Sequence, residues 1–205
     1  MDKKNRLYLA LIHSPVYNKH REKIASALTT LDLHDLARVC RTYEIKRLYV
    51  VTPLVDQQEL ARWVVDHWTR GYGASYNPDR KEAMELVAVS ADLEEVVEEV
   101  RKAEGEEPVL LATDAARPST GVLDFPAARG IIVSGRPVML LLGTAWGLHR
   151  DLLKKADYVL EPVSGSGDYN HLSVRTAAAI IVDRLMGRPE HAEGGAPGFC
   201  KTPAE

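Results

Sequence analysis

Cysteine is scarce in this chain of 205 residues: Cys40 and Cys200 are the only two. That is too few for a disulfide framework or a cysteine-rich zinc site. Aromatic residues make up 6%, and no apolar run approaches the roughly 18–20 residues that a membrane helix needs. Charge of one sign is missing as well. Lysine and arginine number 26 against 29 aspartates and glutamates, a net charge of −3, so a uniformly basic nucleic-acid binder is excluded. The standard phosphate signatures fail too. No Gly-x4-Gly-Lys-Ser/Thr occurs, which argues against a P-loop NTPase. Gly165-x-Gly167 lacks its third glycine, with Asn170 in that place, and it falls late in the chain. Gly143-Thr-Ala-Trp-Gly147 carries alanine where a nucleophile elbow needs serine. The seven histidines show no paired ligand spacing, so no metal is expected.

What is present suits a folded α/β protein. Hydrophobic residues reach 45%, enough for a sizeable core, and the length suits one domain. The charged start, Met1 to Arg6, is followed by only six apolar residues, Leu7 to Ile12. This leads to the expectation of a cytoplasmic protein with no membrane partner. The charge is segregated along the chain. Residues 1–50 hold 10 basic and 5 acidic side chains, a balance of +5, whereas residues 51–205 hold 16 and 24, a balance of −8. A surface facing a polyanion would have this asymmetry, and so would an acidic helix in one half.

Short apolar runs alternate with helix-period segments. Strands are predicted at Leu7–Ile12, with Tyr8 half-exposed, at Arg47–Val51, Met84–Val89, Pro108–Ala112, Pro137–Leu142 and Asp157–Leu160. Helices are predicted at Asp32–Tyr43, Leu54–Thr69, Leu93–Ala103 (capped by Asp92), Phe125–Val133 and Leu172–Met186. Runs such as Pro137-Val-Met-Leu-Leu-Leu142 lack alternation, as strands covered on both faces do. The fold class is therefore α/β, a mainly parallel sheet flanked by helices. Residues 1–187 form the domain, and 188–205, rich in glycine, proline and charge, are expected to be a flexible tail.

Ligands of open α/β sheets bind beyond the carboxyl ends of strands. Three such ends carry small residues here: Ala112-Thr-Asp114, Gly143-Thr-Ala-Trp-Gly147, and Glu161 through Asn170. Glycine lets a backbone approach a ligand closely, and successive N–H groups ahead of a helix suit an anion or acceptor. A nucleotide-like ligand fits this pattern. Trp63 and Trp68 read as core residues, with an interface as the alternative, and Trp146 reads as core or as a cover over the ligand or a partner subunit.

At these segments the chain resembles the SPOUT, or α/β-knot, RNA methyltransferases, and within them a small bacterial single-domain group near the TrmH type. Asp32-Leu-His-Asp-Leu-Ala-Arg-Val-Cys-Arg-Thr42 resembles the first motif, Asn-x5-Arg-Thr, with Arg41 at the arginine and Asp35 at the asparagine. Val138–Leu148 resembles the second, without the glutamate usual between its glycines. Glu161-Pro162 through Asn170-His-Leu-Ser-Val174 resembles the third, with asparagine displaced.

The resemblance implies a SPOUT fold with a C-terminal deep trefoil knot and S-adenosyl-L-methionine as cofactor. It also implies an RNA substrate (tRNA or rRNA) and a homodimer with sites shared between chains. Thr113, Leu142, Gly143, Thr144, Gly147, Glu161, Pro162, Asn170, Leu172 and Ser173 are the cofactor-binding residues it implies. Arg41 and Asp35 are its catalytic pair. Arg38, with Tyr17, Lys19 and Arg21 on the basic loop after the first strand, would meet RNA. For a ribose 2′-hydroxyl acceptor, Arg41 would favour the alkoxide. For a base nitrogen, a carboxylate such as Asp32, Asp35 or Asp168 would take the proton. Asp32 equally fits a helix cap. A non-catalytic RNA- or protein-binding module that retains the cofactor pocket is the alternative reading, motivated by the altered second and third motifs.

Overall fold

The computed structural model describes residues 5–116 and 122–188. In chain order the elements are β1 (Leu7–Ile12), β2 (Val16–Tyr17), β3 (Lys23–Ile24), α1 (Thr30–Thr42), β4 (Leu48–Val51), α2 (Val55–Thr69), α3 (Tyr72–Tyr76), α4 (Pro78–Met84) and β5 (Val87–Ser90). They continue with α5 (Leu93–Glu104), β6 (Val109–Thr113), β7 (Val122–Leu123), α6 (Phe125–Val133), β8 (Val138–Gly143), α7 (Arg150–Leu153), β9 (Tyr158–Leu160) and α8 (Val174–Met186). The segment expected to be a flexible tail lies outside the described residues, apart from Arg188.

Seven strands form one sheet in the order β5-β4-β1-β8-β6-β9-β7, and every pairing in it is parallel. The two pairs flanking β8 set the register: Leu9 and Leu111 both lie opposite Leu140. Alternate residues of each strand face opposite sides. Leu7, Leu9, Leu11, Val138, Leu140 and Leu142 pack into one cluster with the apolar faces of α1, α6 and α8. Tyr8, Ala10, Ile12, Met139 and Leu141 pack into a second with Leu93, Val96 and Val100 of α5 and Leu152 of α7. Both faces are covered, which is why these strands read as unbroken apolar runs.

Tyr8, expected half-exposed, is buried. Its ring lies 6.3 Å from that of Tyr49 and its hydroxyl donates to Glu104 of α5, so the polar tip is satisfied without reaching water. Three further expectations are corrected. Met84 closes helix α4 instead of opening a strand, and β5 starts at Val87. Asn77, whose side chain accepts from the Arg80 N–H, and Pro78 at the first position nucleate α4. Trp63 and Trp146 are exposed, and only Trp68 packs against the core.

Helix α1 starts at a cap that the pattern missed. Thr29, not Asp32, is the N-cap: its hydroxyl accepts from the Asp32 N–H at 3.3 Å and donates to Asp32 Oδ2 at 2.7 Å. Thr29→Ala is expected to lower stability by about 1 kcal/mol, the usual cost of a lost cap. A urea unfolding midpoint identical to that of the parent would show that this cap contributes nothing.

Candidate active site

The carboxyl ends of β1, β8, β6 and β9 meet on one edge of the sheet, with Ile12 opposite Gly143 and Thr113 opposite Leu160. The loops that leave them enclose a cleft of about 1010 Å³. Thr113, Leu142, Gly143, Thr144, Gly147, Glu161, Pro162, Asn170, Leu172 and Ser173, separated by up to 60 positions, all line it. Of the residues expected to meet RNA, Arg21 lines the same cleft.

Its floor is tied down by a polar chain. Thr144 Oγ1 donates to the Ile12 carbonyl at 2.9 Å and lies 2.6 Å from Ser26 Oγ, which sits 3.0 Å from His13 Nδ1. His13 is 1% exposed, and its Nε2 has no hydrogen-bond partner among the described residues. Burial holds this imidazole below the usual histidine range, opposed by the Asp32 carboxylate.

The Gly143–Gly147 loop is also clamped from outside. The Tyr17 N–H donates to the Gly147 carbonyl and the Trp146 N–H to the Tyr17 carbonyl, each at 3.0 Å. The hairpin β2–β3 thereby braces the loop and leaves the Trp146 side chain 58% exposed at the rim. Gly143 and Gly147 are needed for different reasons. A Cβ on Gly143 would lie 2.8 Å from the Leu148 nitrogen, whereas Gly147 has φ +95°.

Tyr17 is not a free stacking platform. Its ring lies 4.7 Å from that of His149, with the Arg21 guanidinium 5.6 Å from its centre. Lys19 is exposed on the hairpin loop. Arg38 lines a separate, shallower groove of about 500 Å³ with Asp35, Tyr43 and Arg175. Arg41 is not brought to the cleft within this chain. It is exposed on α1 and binds Glu82 of α4 through Nε at 3.0 Å and Nη2 at 2.8 Å.

The position facing the cleft from α1 belongs to Asp32, which is 6% exposed. Its Oδ1 accepts from Arg175 Nη1 at 3.2 Å, and Arg175 Nε lies 3.2 Å from Asp35 Oδ2. Sequence reasoning missed Arg175, Ser26 and Thr29. Arg175 stands two residues beyond Ser173, in the first turn of α8, and that proximity to the third motif was the one signal available.

An adenosine-sized ligand fits this site. The cleft has the volume of a small-molecule pocket, and its walls are largely backbone and small side chains. Among the described residues no group of His, Cys, Asp or Glu side chains is placed to hold a metal ion. No described helix is long and apolar enough to cross a membrane.

The fold is that of the SpoU methyltransferases. SpoU methyltransferase AviRb from Streptomyces viridochromogenes superposes with a TM-score of 0.58 at 16% identity, covering 89% of this chain and 59% of that one. The TrmH/SpoU tRNA modifying enzyme of Aquifex aeolicus superposes at 0.53 and 16% identity, covering 89% and 74%. AviRb has also been solved in complex with AdoMet.

The chain belongs to the SAM-dependent RNA methyltransferase family, whose model matches residues 6–187. It is 43% identical over 181 residues to the tRNA (guanine-N(1)-)-methyltransferase of Oleidesulfovibrio alaskensis, and 40% identical to the corresponding protein of Nitratidesulfovibrio vulgaris. Each match covers 88% of this chain but 42% of the relative, so the chain spans less than half the length of these two. It is also 39% identical to an uncharacterized protein of Aquifex aeolicus, covering 89% of both.

Proposed function

We propose that this chain transfers the methyl group of S-adenosyl-L-methionine to a nucleotide of tRNA or rRNA, working as a cytoplasmic homodimer. The observation that carries this reading is the single cleft, where segments resembling the second and third family motifs converge at the strand ends, with Asp32 of the first on its wall. Backbone groups of Leu142, Gly143, Glu161, Pro162 and Leu172 would hold the cofactor. Thr113, Thr144, Gly147, Asn170 and Ser173 complete its surroundings. When bound, the cofactor supplies an electrophilic methyl on a sulfonium. The protein's part is to align the acceptor, which contributes up to roughly 7–11 kcal/mol for well-placed reactants.

Residues 1–187 are the methyltransferase domain in this reading, and the family match at 6–187 supports that boundary. The deep trefoil knot belongs to the same proposal. Its support is that β8 enters the sheet between β1 and β6, and β9 between β6 and β7, after those neighbours have been laid down. Over half the length of the two guanine-N(1) relatives lies outside the match. Their tRNA specificity therefore supports tRNA as the first substrate to try and carries no position on it.

Arg21, which lines the cleft, and the exposed Lys19 would meet the RNA backbone; both belong to the segment 1–50, whose charge balance is positive. Arg38 and Asp35 border the groove between α1 and α8. Arg41, engaged with Glu82, would act on the acceptor only in a cleft shared with a second copy.

Calorimetry with S-adenosylhomocysteine is expected to show one saturable site per chain. Methyl transfer is expected to RNA extracted from cells lacking the protein. No binding at millimolar ligand would overturn the proposal, and RNA binding without transfer to any RNA fraction would establish the non-catalytic alternative.

A further inference from the structure

Asp32 holds a carboxylate against the cleft in a way that helix capping does not explain. A carboxylate at the third position of a helix ordinarily turns back to the backbone N–H of the cap residue. Asp32 instead accepts from the Thr29 hydroxyl through Oδ2 at 2.7 Å and from Arg175 Nη1 through Oδ1 at 3.2 Å. The same guanidinium reaches Asp35 one turn further along α1, Nε to Oδ2 at 3.2 Å. One arginine on α8 thus faces two carboxylates on α1, and the cluster keeps a negative charge.

The other cleft carboxylates hold backbone N–H groups. Glu161 Oε1 accepts from the Phe125 N–H at 2.8 Å, at the start of α6. Asp114 Oδ1 accepts from the Ala116 N–H at 2.9 Å. Asp32 has lone pairs left over after its two bonds, since an ionised carboxylate can accept about four.

These groups discriminate between acceptors. A ribose hydroxyl is a very weak acid, and its methylation is helped by a cation that stabilises the alkoxide. Arg175 is neutralised by two carboxylates, Arg21 in the cleft lining lies over the Tyr17 ring, and Arg41 lies outside the cleft on Glu82. A ring N–H of a lactam or imide, of the kind in guanine or uracil, is far more acidic. It needs a base, which a fixed carboxylate provides.

We propose that Asp32, oriented by Arg175, is the general base for methylation of a nucleobase ring nitrogen; the assignment rests on the methyltransferase reading above. The proton passes from the ring nitrogen to the Asp32 carboxylate and then to water. The nitrogen lone pair takes the methyl, and the electrons of the broken carbon–sulfur bond remain on sulfur. Arg175 is a positioning residue, acting through Asp32.

The test uses the full chain and RNA from cells lacking it, digested to nucleosides after reaction and read by mass spectrometry. A base-methylated nucleoside is expected. Asp32→Asn is expected to slow single-turnover transfer on the order of 100-fold or more, while calorimetric affinity for S-adenosylhomocysteine and RNA binding stay unchanged. Arg175→Ala is expected to lower kcat at constant KM, and Arg175→Lys to restore part of it. A 2′-O-methyl nucleoside, or wild-type transfer by Asp32→Asn, overturns this assignment and leaves the methyltransferase reading standing. Absence of cofactor binding and of any transfer by the parent overturns both.

Discussion

Replacing Gly143 by alanine is expected to abolish most of the affinity for S-adenosyl-L-methionine while leaving the sheet folded. A Cβ at this position would sit 2.8 Å from the Leu148 nitrogen and 3.2 Å from the Gly147 carbonyl carbon. Both are backbone atoms, so no side-chain rotation relieves the contact. The loop cannot yield freely either. Its far end is fixed by the hydrogen bonds between Tyr17 and both Trp146 and Gly147, and its near end by Thr144 on the Ile12 carbonyl.

Overpacking of this kind costs about 1–3 kcal/mol. Expressed as a shift of the loop out of its binding geometry, that is roughly a 10- to 100-fold loss of affinity. Calorimetry on the variant, paired with a thermal melt, checks it. Wild-type affinity in a folded variant would mean that the cofactor does not depend on this loop.

The second large effect concerns stability. Leu140 is fully buried in the central strand β8, opposite Leu9 on one side and Leu111 on the other. Its side chain joins the cluster beneath α1 and α8. Strand backbones on both sides prevent collapse onto the space left behind, so Leu140→Ala is expected to cost about 2–5 kcal/mol. That is a large part of the roughly 5–15 kcal/mol that holds a typical domain together. Leu140→Met, which keeps the volume, is expected to cost less than about 1.5 kcal/mol. Urea unfolding of both variants separates the cavity from the change of residue; equal losses would refute the packing argument.

The parts of this fold that could be read in advance were those fixed by periodicity and caps. Helix α5 begins after Asp92, whose side chain accepts from the Glu95 N–H, and ends at Gly105 with φ +77°; both signals are local. Helix α6 falls on Phe125–Val133 for the same kind of reason, with Asp124 as its cap. Helices α3 and α4 are not legible because Gly71 and Gly73 break the helix period after Thr69, whereas Gly71, Asn77 and Pro78 stand at helix starts. The hairpin β2–β3 has only two residues per strand, too few for any alternation to register.

The site divides along the same line. Thr113, Leu142, Gly143, Thr144 and Glu161 of the lining lie at strand ends, and strand ends are legible. The bond from Arg175 to Asp32 spans 143 positions and arises from the packing of α8 against α1, which no local pattern encodes. Arg41 was placed by likeness to a motif. Its neighbour Glu82 was decided by α4, a helix the pattern had not revealed.

The place of β8 in the sheet has a consequence for how the chain comes to be folded. The strands on its two sides, β1 and β6, are complete by Thr113, yet they touch each other only through a strand that begins at Val138. Until that strand leaves the ribosome, the nascent chain has one three-stranded half-sheet, β5-β4-β1, and an unpaired β6, each with an open edge awaiting the same insert. Such edges pair indiscriminately. Synthesis halted shortly before Val138 should therefore yield a fragment that needs a chaperone, whereas the finished chain closes both edges with one strand.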